Sequence, residues 1–450
     1  MNFADEQPVK TLAVVLTEDC SLRCSYCFCG EKSKENLSFN RAKDIVDWFA
    51  SKEASGDVNK LRLVFWGGEP MMRMDLIENI VDYCKTKDKK FTFGMTTNGM
   101  HLTDENIKKL KELGVDTLVS LDGGPESHNK FRKLPNGEGS YEHIEENLKK
   151  YLEHFPGSNV RLSLSSHNVE RFSGDVKHLY NLGFRSIFWS PVLEDDWSDE
   201  DVSILRKEYF EVADFYIKKA LEGDKFRVKW FHDGIKNLLY PGRNKYFCGA
   251  GRTYLSAGLD GRIYPCHRFD KFENDTSAEE EPFCLGTVDD GLMNQKERNM
   301  FCNGDHFAYC KDCKLYKLGF CKGSCYAGNV DFSGGDILYS PPIHCAEVNI
   351  RFDVANYIYK KTKDTDFMKR KISRIHKKMG NPKNLGSINC GHADLEYDGG
   401  PLIEEDDYYK DNTEEDMELD LLQKYFQADG KTQDALIYSL LEKKTKEVNK

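Results

Sequence analysis

Through the first half of this 450-residue chain, short runs of β-branched and aromatic residues alternate with longer stretches whose apolar residues recur every three or four positions. The runs are TLAVVLT (11–17), LRLVFW (61–66), FTFGMTT (91–97), DTLVSL (116–121), VRLSLS (160–165) and SIFWSP (186–191). Between them, NRAKDIVDWFASKEA, MDLIENIVDYCKT, DENIKKLKELG and YEHIEENLKKYLEHF carry the helical period, and several such stretches end at Gly, as a helix C-cap does. Six strand–helix repeats predict an α/β fold, a parallel sheet with right-handed crossovers curled into a full or partial (β/α)6 TIM-like barrel. Functional residues on such a sheet belong at the C-terminal ends of the strands.

From Cys248 to Cys345 the pattern changes to short segments rich in Cys and Gly, with no long amphipathic helix predicted. So little apolar material calls for metal to hold it. Beyond residue 350 a Lys/Arg-rich helical stretch, YIYKKTKDTDFMKRKISRIHKKMG, precedes an acidic run from Asp394 to Asp420 that reads as a solvated, partly disordered linker. The final LLQKYFQADGKTQDALIYSLLEKKTKE reads as one or two surface helices. The domains expected are therefore 1–235, a barrel; 236–350, a Cys-rich module; and 351–450, a helical C-terminal extension.

A formal net charge of −11 argues against nucleic acid as the main partner, because phosphate binding needs concentrated Lys and Arg. No apolar run approaches the length that spans a bilayer, and the N-terminus is unlike a secretory signal, so a cytoplasmic protein without membrane contact is expected. In that compartment fifteen cysteines cannot form a disulfide framework, and metal ligation becomes the leading account.

The strongest local signal is Cys20-SLR-Cys24-SY-Cys27, immediately after the first predicted strand. Three thiolates on a loop at a strand's C-terminal end suit three irons of a cubane and leave the fourth iron open, while a structural zinc site with a distant fourth ligand is the plainer alternative. Gly67-Gly68-Glu69-Pro70 follows the second strand, Thr96-Thr97-Asn98-Gly99 ends the third, and Ser120-Leu121-Asp122-Gly123 ends the fourth.

With Tyr26 before its last Cys and Phe28 after it, this C-x3-C-x2-C loop resembles the signature of the radical S-adenosylmethionine (SAM) superfamily, and the GGEP segment resembles that family's second motif. The resemblance implies that SAM chelates the open iron of a 4Fe-4S cluster and is split to a 5′-deoxyadenosyl radical, which takes a hydrogen from the substrate. It also implies a reducing electron donor such as flavodoxin or ferredoxin. Tyr26, Gly68, Glu69, Asn98, Ser120, Arg132 and Leu193 would line the SAM pocket, with glycine letting backbone approach the SAM amino group. Taken singly, GGEP is more often a turn, Arg132 a surface charge and Leu193 core.

The second set of cysteines resembles the SPASM domain, a C-terminal extension of peptide- and protein-modifying radical SAM enzymes that binds two auxiliary 4Fe-4S clusters. The family pattern assigns Cys248, Cys266 and Cys325 to the nearer cluster and Cys310, Cys313, Cys321 and Cys345 to the farther one, three clusters in all. CGAGRTYLSAGLDGRIYPCHRF reads as a hairpin that brings Cys248 toward Cys266. The nearer cluster has either an open iron or a ligand from Cys284 or Cys302. The loop from Cys313 to Cys321 is longer than the family's, and paired structural zinc sites are the plainer reading of the whole set. Cys29, Cys84 and Cys390 are expected to be unligated thiols.

Within the resemblance, the best match is to peptide maturases, which install thioether or carbon–carbon crosslinks in ribosomally made precursor peptides. The phrase YPCHRF carries that choice, because anaerobic sulfatase maturases place Asp after this Cys where the chain has His267. His267 is either a base or a partner of the cluster through a hydrogen bond. Formylglycine formation on a sulfatase is the second enzymatic reading, and a noncatalytic iron–sulfur or zinc scaffold the reading from another class. The first strand starts at about residue 11, which leaves out the leader-gripping domain that many peptide maturases carry before it. The basic stretch 360–378 is the substitute candidate, against a plain solvated helix face.

Overall fold

A computed structural model describes residues 7–239, 246–270, 283–302 and 310–379. Six parallel strands follow the expected runs closely: β1 Thr11–Val15, β2 Lys60–Trp66, β3 Lys90–Thr97, β4 Val115–Ser120, β5 Asn159–Leu164 and β6 Ser186–Pro191. Each pairs in parallel with the next, and a two-residue β7, Arg227–Val228, adds to β6. The crossovers lay their apolar faces on one side of the sheet. Ile45, Val46 and Phe49 of the helix Phe39–Ala50 and Ile77, Ile80 and Val81 of Met74–Cys84 join Leu12, Leu63 and Phe65 in one core. Local signals set the ends: Ser38 accepts from the Arg41 amide at 3.2 Å to cap the first helix, and Gly114 closes Asp104–Leu113 in a left-handed conformation.

The Cys-rich stretch does not stand apart from this sheet. Its first strand, β8 Tyr254–Ala257, pairs in parallel with β1, and β9 Arg262–Tyr264 folds back on β8 in the expected hairpin. Antiparallel β10 Gly286–Thr287 and β11 Gly291–Leu292 complete an eleven-stranded sheet in the order β11-β10-β9-β8-β1-β2-β3-β4-β5-β6-β7. Its two edge strands do not pair with each other, so the barrel is partial.

One expectation is corrected. A long helix, Pro342–Thr362, begins before Cys345, and the Pro at its first turn suits that position. Polar pairs tie it to one neighbour: Tyr209 donates to Glu347 at 2.5 Å, Tyr357 to Asp214 at 2.6 Å, and Arg206 pairs with Asp353 at 2.7 Å. It packs on the helices Asp199–Leu221 and Lys229–Leu239, which the sequence reading did not pick out. Most of the basic stretch 360–378 lies on the helix Asp366–Met379 that follows. The acidic run, Cys390 and the terminal helices lie outside the described residues. Among those described, no helix is long and apolar enough to cross a membrane.

Candidate active site

The cysteine loop leaves β1 and is clamped at its base, where Thr17 bridges Asn36. Its other support is the turn after β2. Gly68 donates to the Thr17 carbonyl at 2.8 Å and Glu69 to the Asp19 carbonyl at 2.9 Å. A Cβ on Gly68 would lie 2.2 Å from the Asp19 oxygen, and one on Gly67, at φ +138°, would lie 2.3 Å from that of Thr17. These glycines therefore admit the cysteine loop itself, a demand that the motif alone did not disclose.

Glu69 is buried and accepts from Thr97 Oγ1 at 2.8 Å and from the Asn98 and Met71 amides at 2.7 and 3.1 Å. Burial outweighs these donors and lifts its carboxyl to about 7. Asn98 then reaches Ser21 Oγ at 3.2 Å and Cys20 Sγ at 3.6 Å. GGEP and TTNG thus act together, holding Cys20 from two strands.

Around the thiols the groups suit iron–sulfur ligation. The Leu22 amide points at Cys20 Sγ at 3.4 Å and Lys32 Nζ at Cys27 Sγ at 3.2 Å. Burial pushes the Cys20 thiol up to about 12 and that of Cys24 to about 11, so iron must displace their protons. Cys27, on the exposed side, is held down to about 5 by a hydrogen bond from Cys29, whose own thiol that bond, and then burial, raises in turn. Among the described residues, no three Cys, His, Asp or Glu side chains converge tightly enough for a single metal ion. A cubane binds each thiolate through a different iron and asks for the wider spacing.

Behind the loop, Asp122 at the end of β4 is fully buried. It accepts from Arg132 at 2.9 and 3.2 Å, from the Ser163 amide at 2.9 Å and from Tyr26 Oη. Burial opposes the Arg132 charge, but Asp122 beside it holds the guanidinium well above its ordinary value. Tyr26 and Arg132, expected at the SAM pocket, meet here, and Ser120 ends β4 two residues before Asp122. Asp122 at their centre was quoted in the motif without a role; a buried acid at a strand's C-terminal end, ten residues before an arginine, was the available signal.

The Cys-rich half meets the same lumen. His267 packs on Trp66 of β2 with ring centroids 4.0 Å apart and the planes tilted by 39°, and its Nδ1 lies 2.6 Å from Tyr254 Oη. It is buried, so the arrangement positions the segment after Cys266 against the end of β2. Arg268 reaches Glu194 at 2.5 Å and Asp331 at 3.2 Å, lies over the Phe28 ring at 4.8 Å, and points at Cys325 Sγ at 4.0 Å. Leu193 faces Gly328 on the helix Tyr326–Ser333, three residues past Cys325. The roles of Arg268, Lys32 and Trp66 had no signal beyond their nearness to cysteines or motifs.

Cys248 and Cys266 share one buried cluster, with Cys325 packed against it. Cys310, Cys313, Cys321 and Cys345 lie near one another: burial raises Cys310 to about 11, and Cys321, Cys345 and Cys313 add to the rise. Cys284 and Cys302, the candidates to complete the nearer set, point at the Gly286 and Gly251 carbonyls at 3.4 and 3.7 Å.

A profile of the Radical SAM superfamily matches residues 14–178. Among curated proteins, the chain is 24% identical over 340 residues to a cysteine-type anaerobic sulfatase-maturating enzyme of Clostridium novyi (strain NT), spanning 70% of this chain and 88% of that one. It is 30% identical over 285 residues to a GTP 3′,8-cyclase of Aquifex aeolicus (strain VF5), spanning 59% and 84%. Among solved structures, native anSMEcpe with bound AdoMet and Cp18Cys peptide shares the fold over 82% of this chain and 99% of its own, with TM-score 0.63 and 19% identity. Streptococcus suis SuiB bound to its precursor peptide SuiA matches over 75% and 76%, with TM-score 0.50 and 16% identity.

Proposed function

The chain belongs to the radical SAM superfamily, and on that footing we propose that it is a peptide maturase that installs a crosslink, a thioether from a peptide cysteine, in a ribosomally made precursor peptide. The observation that carries this reading is the shared lumen: β8 pairs with β1, so the segment after Cys266 packs against Trp66 beside the Cys20/Cys24/Cys27 loop. A 4Fe-4S cluster with SAM supplies a hydrogen-abstracting radical when bound. Cys20, Cys24 and Cys27 would hold that cluster, and Tyr26, Ser120, Arg132, Asn98 and the Gly68–Glu69 turn would shape the SAM pocket around it. Cys248, Cys266 and Cys325, with Cys310, Cys313, Cys321 and Cys345, would hold two auxiliary clusters.

Replacing a C–H and an S–H bond by a C–S bond removes two hydrogens from the peptide, an oxidation that requires an electron path out of the lumen. The Cys-rich half supplies ligands for such a path on the lumen's own wall. His267 acts as a positioning group between Trp66 and Tyr254. A reductant such as flavodoxin or ferredoxin would supply the first electron. Support for a peptide substrate comes from solved structures of this fold that hold peptides, among them native anSMEcpe with Cp18Cys peptide and SuiB with SuiA.

The test is anaerobic co-expression with a small Cys-containing peptide encoded beside this gene, read by mass with and without thiol alkylation. The expected result is loss of two hydrogens per crosslink and cysteines that resist alkylation; unchanged mass with full alkylation sinks the reading for that peptide. Formylglycine formation is the second reading, favoured by the printed activity of the Clostridium relative. His267→Asp should gain formylglycine-forming activity only if that second reading holds.

A further inference from the structure

A half-buried positive charge on the barrel wall has no ion-pair partner among the described residues, and Asp122 and Tyr26 favour it only from a distance. Along β5, Val160, Leu162 and Leu164 enter the core beneath the helices, so alternation turns Arg161 and Ser163 to the lumen. Arg161 stands between Ser120 of β4 and Phe188 of β6 in the strand register. Two nearby arginines are neutralised, Arg132 by Asp122 and Arg268 by Glu194 and Asp331. No ion pair reaches Arg161 among the described residues, and its Nε is buried without a hydrogen-bond partner.

Burial first, then the like charges of Arg268 and Arg132, work against the Arg161 charge. A guanidinium does not shed its proton at ordinary pH, and a ligand anion would offset this cost. Position narrows the choice of anion. Arg132 stands at the Cys24 end of the lumen and Arg268 at the Cys325 end, and both are among the charges that Arg161 feels. A group bound by Arg161 would therefore sit between the two cysteine sets, where the reacting segment of a substrate must lie.

We infer that Arg161 binds a carboxylate of the substrate, an Asp or Glu side chain of the peptide, so that the substrate class is a peptide with an acid at the reacting segment. This rests on the peptide-maturase reading. A planar guanidinium takes a carboxylate through two parallel hydrogen bonds, which an amide cannot reproduce. The methionyl carboxylate of SAM offers the same chemistry, and the experiment separates the two sources.

On the reconstituted protein with SAM present, capped Gly-Glu-Gly and Gly-Gln-Gly are titrated calorimetrically, and SAM is titrated alone. Wild type should prefer the glutamyl peptide by about 10-fold or more. Arg161→Gln should abolish that preference while leaving SAM affinity within about 2-fold, and Arg161→Lys should retain part of it. Equal binding of the two peptides by wild type, or a preference that survives Arg161→Gln, overturns the inference. A matching loss of SAM affinity overturns it too and reassigns Arg161 to the methionyl carboxylate. If the preference behaves as expected but no precursor peptide is crosslinked on co-expression, the maturase reading fails while the carboxylate site stands.

Discussion

Cys20, Cys24 and Cys27 leave a strand that is paired on both edges, on a loop whose backbone is gripped by Gly67, Gly68 and Glu69. Cys313 and Cys325 instead stand at the N-caps of helices of four and eight residues, and neither side chain makes a capping hydrogen bond. One site is positioned by the sheet before any iron arrives. The other gathers thiols at the ends of short helices, away from the parallel strands. The barrel-side loop should therefore keep its shape without metal, and the Cys-rich half should acquire its own shape from metal.

The largest effect on stability is expected from Asp122→Asn, which strands the buried Arg132 charge. Chemical denaturation should show a loss of about 3–5 kcal/mol. Gly68→Ala drives a methyl into the Asp19 carbonyl. It should cost about 3 kcal/mol and remove only the SAM-site iron, read by iron content and by peptide-free SAM cleavage. Survival of that iron would show that the loop yields more readily than the sheet-held picture allows.

Glu69 provides a pH test on the cluster-free protein. Folding raises its carboxyl from 4.5 to about 7, so its contribution is fully present below pH 4.5 and is lost as pH rises through 7. Stability should fall by at most about 3 kcal/mol across that window, and Glu69→Gln should flatten this part of the profile. Chelation of all iron should raise amide exchange across residues 310–325 by about 100-fold while leaving β1–β6 within about 3-fold. Uniform exchange in both regions would erase the contrast. The smallest effect should come from Asp289→Ala, which removes the exposed bridge from Arg41 to the β10–β11 turn, 2.8 Å long, and should cost under about 0.5 kcal/mol.

The parallel strands and the hairpin at Cys248–Cys266 were legible because each has a local signature: β-branched and aromatic runs, and Gly258 and Gly261 at a tight return. The helix through Cys345 was not, because His344 and Glu347 are buried polar residues whose partners come from elsewhere in the chain. The motifs located the site, yet Asp122, Arg161 and Arg268 escaped as functional residues. What matters in each is the presence or absence of a partner in space, and spacing along a chain carries no record of that. The glycines of GGEP were legible as a turn, while the backbone that they admit is visible only once β1 and β2 lie side by side.

The pairing of β8 with β1 also governs the order in which the molecule can be made. Thr11 is synthesised long before its second partner, Tyr254, so the strand that launches the cysteine loop emerges with one edge bare. A chain stopped near residue 245 should expose that edge and self-associate, however complete its six-stranded barrel. A ribosome that has finished the barrel has thus not finished the strand that bears its first cluster loop.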